Sequence, residues 1–218
     1  MSNQVASVPS LRVDALTKRF GLRTIFNGIS FELELGDTLA VTGRNGSGKS
    51  TLMKILANVA EKTSGTVEWL GGDGGVIDGD DLHRHIGFVA PYLQLYTEFS
   101  GWEHVRLMQE MRGMELDEGY ALDLFERFGL AHRRHDRIGA YSSGMAQRAK
   151  FICAIIHHPS ILLLDEPMSN LDTQGIAAVK ELLAADAVSR TTLIATNEEE
   201  DIRLCTKLIS VEGRSGQV

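Results

Sequence analysis

Two periods of hydrophobic and polar positions alternate along the chain. Over residues 11–20 and 29–35 apolar side chains alternate with polar ones, the period of strands with one buried face. A Gly36-Asp37 turn then leads to the apolar run 38–42, a short strand that ends at Gly43. Over 52–59 the period becomes helical, with Leu52, Ile55, Leu56 and Val59 predicted on one face. Residues 66–70 read as a strand and 71–81, rich in glycine and aspartate, as a surface turn that neither matches GxGxxG nor opens a helix. Then come a strand at 86–89, amphipathic helices at 102–111 and 121–128 with Gly129 as a stop, and a helix at 144–157. A buried strand over 161–164 ends in Asp165-Glu166-Pro167. Helix 173–187, strand 192–196, a short helix and a strand near 208–211 close the pattern. Apolar strands alternating with helices imply a parallel sheet covered on both faces.

Composition narrows the function classes. With 43% hydrophobic and 23% charged residues, the 218-residue chain is ordinary for a globular protein. A net charge of −7 argues against general nucleic-acid binding, which needs a basic face. No apolar run reaches the roughly 20 residues of a membrane helix, and residues 1–10 read as a loose tail without the features of a secretory signal. The remainder, 11–218, reads as one domain. Cys153 and Cys205, with no CxxC spacing, read as reduced thiols.

The candidate chemistry begins after the strand 38–42. Gly43-Arg44-Asn45-Gly46-Ser47-Gly48-Lys49-Ser50-Thr51 satisfies GxxxxGK[ST], between an apolar strand and an amphipathic helix. Glycines let successive backbone N–H groups converge on phosphate oxygens, and the following helix adds its unpaired N–H groups and dipole. Asn45, Gly46, Ser47, Gly48 and Thr51 belong to this cradle. Lys49 is placed to reach the β- and γ-phosphates, and the Ser50 hydroxyl to ligate Mg²⁺. Asp165 and Glu166 end a buried strand, the position where α/β sheets assemble their sites. Two adjacent carboxylates there call for a cation. Asp165 is assigned to the Mg²⁺ shell and Glu166 to the attacking water.

One further segment makes the reading specific. Tyr141-Ser142-Ser143-Gly144-Met145-Ala146-Gln147-Arg148, with Ser142 lying 23 residues before Asp165, resembles the signature sequence of ATP-binding cassette proteins. The resemblance runs from about Leu11 to Val211. Ser169-Asn170-Leu171-Asp172 looks like that family's D-loop, and Phe20 sits where the family stacks an aromatic ring on adenine. It implies an α/β fold: a P-loop NTPase core with a mostly parallel sheet, an N-terminal antiparallel β subdomain and a helical subdomain at about 91–140. It implies ATP and Mg²⁺ as ligands, Ser142 and Gly144 contacting a γ-phosphate held by a second cassette in a homodimer or heterodimer, and transmembrane permease subunits as partners. The expected place is the cytoplasmic face of a membrane, with the transported substrate undefined.

The sequence departs from the family in several places. Serine and methionine at 143 and 145 replace the usual glycine and glutamine. Asn197 stands where the family has a histidine, and an amide can hydrogen-bond a γ-phosphate but cannot carry a proton. Pro91 falls where a metal-ligating glutamine is expected, leaving Gln94 as the substitute. Brevity resembles a heme exporter's cassette, whereas the Tyr-Ser-Ser-Gly-Met signature resembles polysaccharide exporters. The alternative to a transport motor is a soluble cassette ATPase acting on nucleic acid or ribosomes. A kinase or GTPase is disfavoured because no N-K-x-D motif is present. The histidine pairs at 83/85, 132/135 and 157/158 are expected at surfaces or helix ends. The acidic run 198–201 reads as a helix start, with a partner contact as the alternative. Met108, Met111 and Met114 read as core filler, with a groove for a coupling helix as the alternative.

Overall fold

The computed structural model describes residues 10–34, 36–71, 74–185 and 190–212. The expected tail lies outside them except for Ser10, which opens the first strand, and the predicted ends at Leu35 and 186–187 lie outside too. The strands are β1 (Ser10–Phe20), β2 (Arg23–Leu33), β3 (Thr38–Thr42), β4 (Ser64–Leu70), β5 (Ile86–Val89), β6 (Ile161–Asp165), β7 (Thr191–Ala195) and β8 (Lys207–Ser210). The helices are α1 (Lys49–Leu56), α2 (Gly79–His85), α3 (Gly101–Met111), α4 (Glu118–Arg127), α5 (Ser143–Ile155), α6 (Thr173–Ala185) and α7 (Glu199–Ile202). The predicted turn at 71–81 is thus partly helical, because Asp78 caps α2 by accepting from the Asp80 N–H.

Two sheets form, one of them the parallel sheet expected from the apolar strands between helices, the other the antiparallel one that the family resemblance implied. β1 pairs antiparallel with β2 and β4 in the order β2-β1-β4. A bulge around Ala15, whose φ is +47°, resets the alternation, so that Val13 and Leu16 both reach the core. The second sheet has the order β5-β6-β7-β3-β8, with β6, β7, β3 and β8 parallel. The fold class is the expected α/β, with a mostly parallel sheet and a separate N-terminal antiparallel one.

The chain divides into two compact units. One contains both sheets, α1, α2 and α7. Its core joins Leu11, Leu33 and Trp69 to Leu39, Val41, Leu163 and Leu193 through the buried face of α1 (Leu52, Met53, Ile55, Leu56). The Trp69 indole N–H donates to the Leu56 carbonyl at 2.9 Å, meeting one of the unpaired groups at the end of α1. Val59, predicted on the buried face, falls beyond that end and is 67% exposed.

The other unit comprises 89–159 and 168–185 among the described residues and holds α3 to α6. Ser100 and Glu103 form a reciprocal capping box on α3, and Asp117 caps α4. Phe128 stacks on Phe151 with centroids 5.9 Å apart. Met111 (71% exposed) and Met114 are not core filler; they lie beyond the buried stripe of α3. His157 lies just past the end of α5, a helix end as expected, and is buried there, and His158 stacks on Tyr120 at 4.0 Å. Among the described residues, no helix is long and apolar enough to cross a membrane.

Candidate functional site

The C-terminal ends of β3, β6 and β7 lie side by side, since Val41 and Asp165 both pair with Ala195. This register brings Gly43, Asp165 with Glu166, and Asn197 to one edge of the parallel sheet, where open α/β sheets bind their ligands. All of them belong to the unit that holds the sheets.

The loop from Gly43 to α1 is shaped by contacts that only glycine permits at two places. Gly43 has φ +144°, and a Cβ there would stand 2.4 Å from the Val211 carbonyl oxygen. Gly48, the N-cap of α1, has φ +110°, and a Cβ would lie 2.5 Å from Ile25 Cγ2 of β2. The helices α2, α3, α4 and α5 each have a side chain that accepts a first-turn N–H. α1 has no such cap and no acid in its first turn. Its N-terminal donors and dipole are left for an anion. Lys49 is buried, and its ammonium donates to the Gly43 carbonyl at 2.8 Å, which holds the charge at the start of the loop.

Asp165 ends β6 with only 2% of its surface exposed. Among the described residues neither of its carboxylate oxygens has a hydrogen-bond partner of good geometry, and the buried Ser47 hydroxyl also lacks one. Burial pushes the Asp165 pKa above the usual carboxylate range, and Glu166 adds to the rise, while the Ser50 hydroxyl, Lys49 and Lys54 oppose it. A buried carboxylate so placed fits a hard divalent cation, with Ser50 as a second oxygen donor. Gln94, predicted as a third metal ligand, is exposed in the segment between β5 and α3 and belongs to the other unit.

Glu166 follows at φ +47°, a left-handed conformation costly for a non-glycine residue, and its N–H donates to Ala195 O at 2.8 Å. Its side chain is exposed beside the buried Asp165. Asn197 bridges to the loop: its Oδ1 accepts from the Gly43 N–H at 3.3 Å and its Nδ2 donates to Asn45 Oδ1 at 3.2 Å. Beneath it the Thr196 hydroxyl donates to Asp201 Oδ2 at 2.8 Å and accepts from the Glu198 N–H at 3.0 Å. Asp201, read from sequence as part of an acidic run at a helix start, is buried and holds this turn.

Phe20 ends β1 with 57% of its surface exposed, and the Lys18 ammonium sits 4.5 Å from its ring centroid. Thr51 lies in the first turn of α1, and Gly46 faces open space within the loop. Ser142 and Gly144 are in the other unit, where the Ser142 hydroxyl caps α5 by accepting from the Met145 N–H at 3.2 Å. Sequence reasoning missed Lys54. Its helical spacing, four residues after Ser50, was the available signal.

The model of the family described as "ABC transporter" matches residues 26–169. The chain belongs to the ABC transporter family. This cassette is 32% identical over 211 residues to the uncharacterized ABC transporter ATP-binding protein YdbJ of Bacillus subtilis, covering 94% of this chain and 67% of that protein. It is 30% identical over 212 residues to the lipoprotein-releasing system ATP-binding protein LolD of Leptospira interrogans, covering 94% and 90%. It is 34% identical over 173 residues to the lantibiotic transport ATP-binding protein SrtF of Streptococcus pyogenes, covering 79% and 73%. Its fold matches a solved ATP-binding subunit of an ABC transporter with a TM-score of 0.82 at 24% identity, over 93% of this chain and 86% of that one. A bacterial Atm1-family ABC exporter with ATP bound also matches at a TM-score of 0.82 and 22% identity, over 95% of this chain, which spans 38% of the exporter's chain.

Proposed function

We propose that this cassette is the ATP-binding and ATP-hydrolysing subunit of a transporter whose membrane-spanning subunits are separate chains. The observation that carries the reading is the juxtaposition of an uncapped α1 N-terminus with a buried, unpartnered Asp165 carboxylate beside Ser50. The loop 43–51 grips the phosphates through backbone N–H groups and Lys49, and Phe20 offers its exposed ring to the adenine. Ser50 and Asp165 would hold Mg²⁺, which when bound would supply positive charge against the phosphates. Glu166 accepts a proton from the attacking water and orients it, and the left-handed backbone at this residue is the kind of strain that collects at catalytic positions. Asn197 offers an amide hydrogen to the γ-phosphate from its place against Gly43 and Asn45. Gln94 is proposed as a further contact of the metal.

Ser142 and Gly144 contact the nucleotide of a second cassette, so that binding favours a closed pair and hydrolysis releases it, a ligand-biased two-state element. Tyr92, Leu93, Tyr96 and Phe99 expose apolar surface within a short stretch after β5, and Tyr96, Phe99 and the buried His104 form an aromatic cluster. This stretch is the face offered to the membrane subunits, which place the cassette on the cytoplasmic side. The names of LolD and SrtF point to lipoprotein and lantibiotic traffic. The cargo of this cassette is set by its own membrane partner.

Steady-state phosphate release tests the reading. The wild-type chain hydrolyses ATP, and Glu166→Gln slows it by roughly 10²–10⁴-fold, the contribution of a positioned base. Equal rates for the two proteins would overturn the assignment of Glu166.

A further inference from the structure

Arg148 has no role in the nucleotide chemistry above, yet it is built into the protein with care. It lies on α5, six residues beyond Ser142, and is only 6% exposed. A guanidinium taken out of water is costly unless its donors are met, and here both terminal nitrogens find partners while the buried Nε has none among the described residues. Its Nη1 donates to the Phe128 carbonyl at the end of α4 (2.9 Å) and to Gln174 Oε1 on α6 (3.3 Å). Its Nη2 faces Asp172 Oδ2 at 3.5 Å. Asp172 in turn starts α6, with Oδ1 accepting from the Gly175 N–H at 2.9 Å.

Small residues make room for this node. A Cβ at Gly129 would stand 3.0 Å from Arg148 Nη1, and one at Gly175 would stand 3.2 Å from Arg148 Cδ. At the other end of the same turn, Gly144 packs against the segment after β6, where its Cβ would lie 3.3 Å from the Asn170 carbonyl oxygen. The first turn of α5 and residues 170–172 therefore touch directly, and the guanidinium fastens them. The second of these segments begins four residues after Glu166 in the chain. A residue that served only to finish α4 would need the Phe128 contact alone. The second nitrogen and the pairing with Asp172 serve the link to the 170–172 segment.

We propose that Arg148 is a positioning residue that joins the Ser142–Gly144 turn to residues 169–172, so that both meet the second cassette as one rigid surface. This rests on the reading that the cassette closes on a second copy with ATP between them. The test uses the full chain carrying Glu166→Gln, in which blocked hydrolysis lets the ATP-bound pair accumulate. Arg148→Lys keeps the charge but loses the planar fork. Asp172→Asn keeps a capping side chain for α6 but loses the charge pairing. Mg-ATP affinity measured on dilute, monomeric protein is expected to stay within about twofold in both variants, because the phosphate loop lies in the other unit. The dissociation constant of the ATP-bound pair, from analytical ultracentrifugation, is expected to rise at least about tenfold, a coupling of ordinary size. The double variant is expected to be no weaker than Arg148→Lys alone, since each removes the same link. An undiminished pair in both variants overturns the proposal, as do losses that multiply fully in the double variant. Should the Glu166→Gln parent itself fail to pair with Mg-ATP, the proposal falls with the reading beneath it, and that failure shows before any variant is made.

Discussion

Asp165 and Asn197 differ in what they are prepared for. Asp165 has its pKa raised by burial, so its ionised form weakens the folded state until a cation arrives. A raised folded pKa means that stability is greatest below the unfolded carboxylate value of about 3.9 and is lost as pH rises through the folded value. Asp165→Asn is therefore expected to raise the melting temperature in EDTA at pH 7 by at least about 2 °C, with the gain fading below about pH 4. Differential scanning calorimetry at the two pH values checks both the size and the sign. In Mg-ATP the ranking should reverse, because the amide is a poorer ligand for the ion. Asn197 carries no titratable proton in the physiological range. Hydrolysis is expected to be flat between about pH 6 and 8, and Asn197→His to add a limb with an imidazole-range midpoint. A pH–rate profile of the two proteins decides this, and identical profiles would remove Asn197 from the site. The phosphate loop and the acidic pair stand out in the sequence because their types are demanding: a lysine after glycines and two acids after four apolar residues have few other uses. Asp201 was not legible, because its burial depends on Thr196 across a turn that no local period marks.

At the scale of elements, the junction of β3, the phosphate loop and α1 is held by close backbone contacts at two glycines. Gly43 passes within reach of the Val211 carbonyl, and Gly48 against Ile25, so a side chain at either position would force the loop to shift. Gly43→Ala is expected to destabilise the fold by about 1–3 kcal/mol, the range for a strained backbone residue, and to weaken Mg-ATP binding as the loop shifts. Urea unfolding and a binding titration on the same sample check both effects. Most strands were read closely because apolar runs and alternation have little competition from other structures. β2 is the exception, starting at Arg23 rather than at the predicted 29 because it pairs back on β1 through Phe20 and Arg23. Where the reading failed, tertiary context had decided. Val59 lies past the end of α1, which Trp69 helps to close from β4, and α2 begins at Gly79 because Asp78 caps it. Met111 and Met114 kept a plausible apolar look after α3 had already exhausted its buried face.

For the molecule as a whole, the family was legible from three separated motifs with the right order and spacing, and the family model over residues 26–169 agrees. The role of Arg148 was not legible, since nothing in its neighbourhood on the chain announces Asp172 and Phe128 as its partners. The account depends above all on Mg-ATP being gathered by residues 43–51 with Asp165. Calorimetric titration of Mg-ATP into the full chain, with Lys49→Ala alongside, tests this most directly. Saturable binding of one nucleotide per chain is expected, with a dissociation constant of about 1 µM to 1 mM that Lys49→Ala weakens at least about tenfold. Absence of saturable binding by the wild-type chain at millimolar Mg-ATP, or equal binding by both proteins, contradicts it.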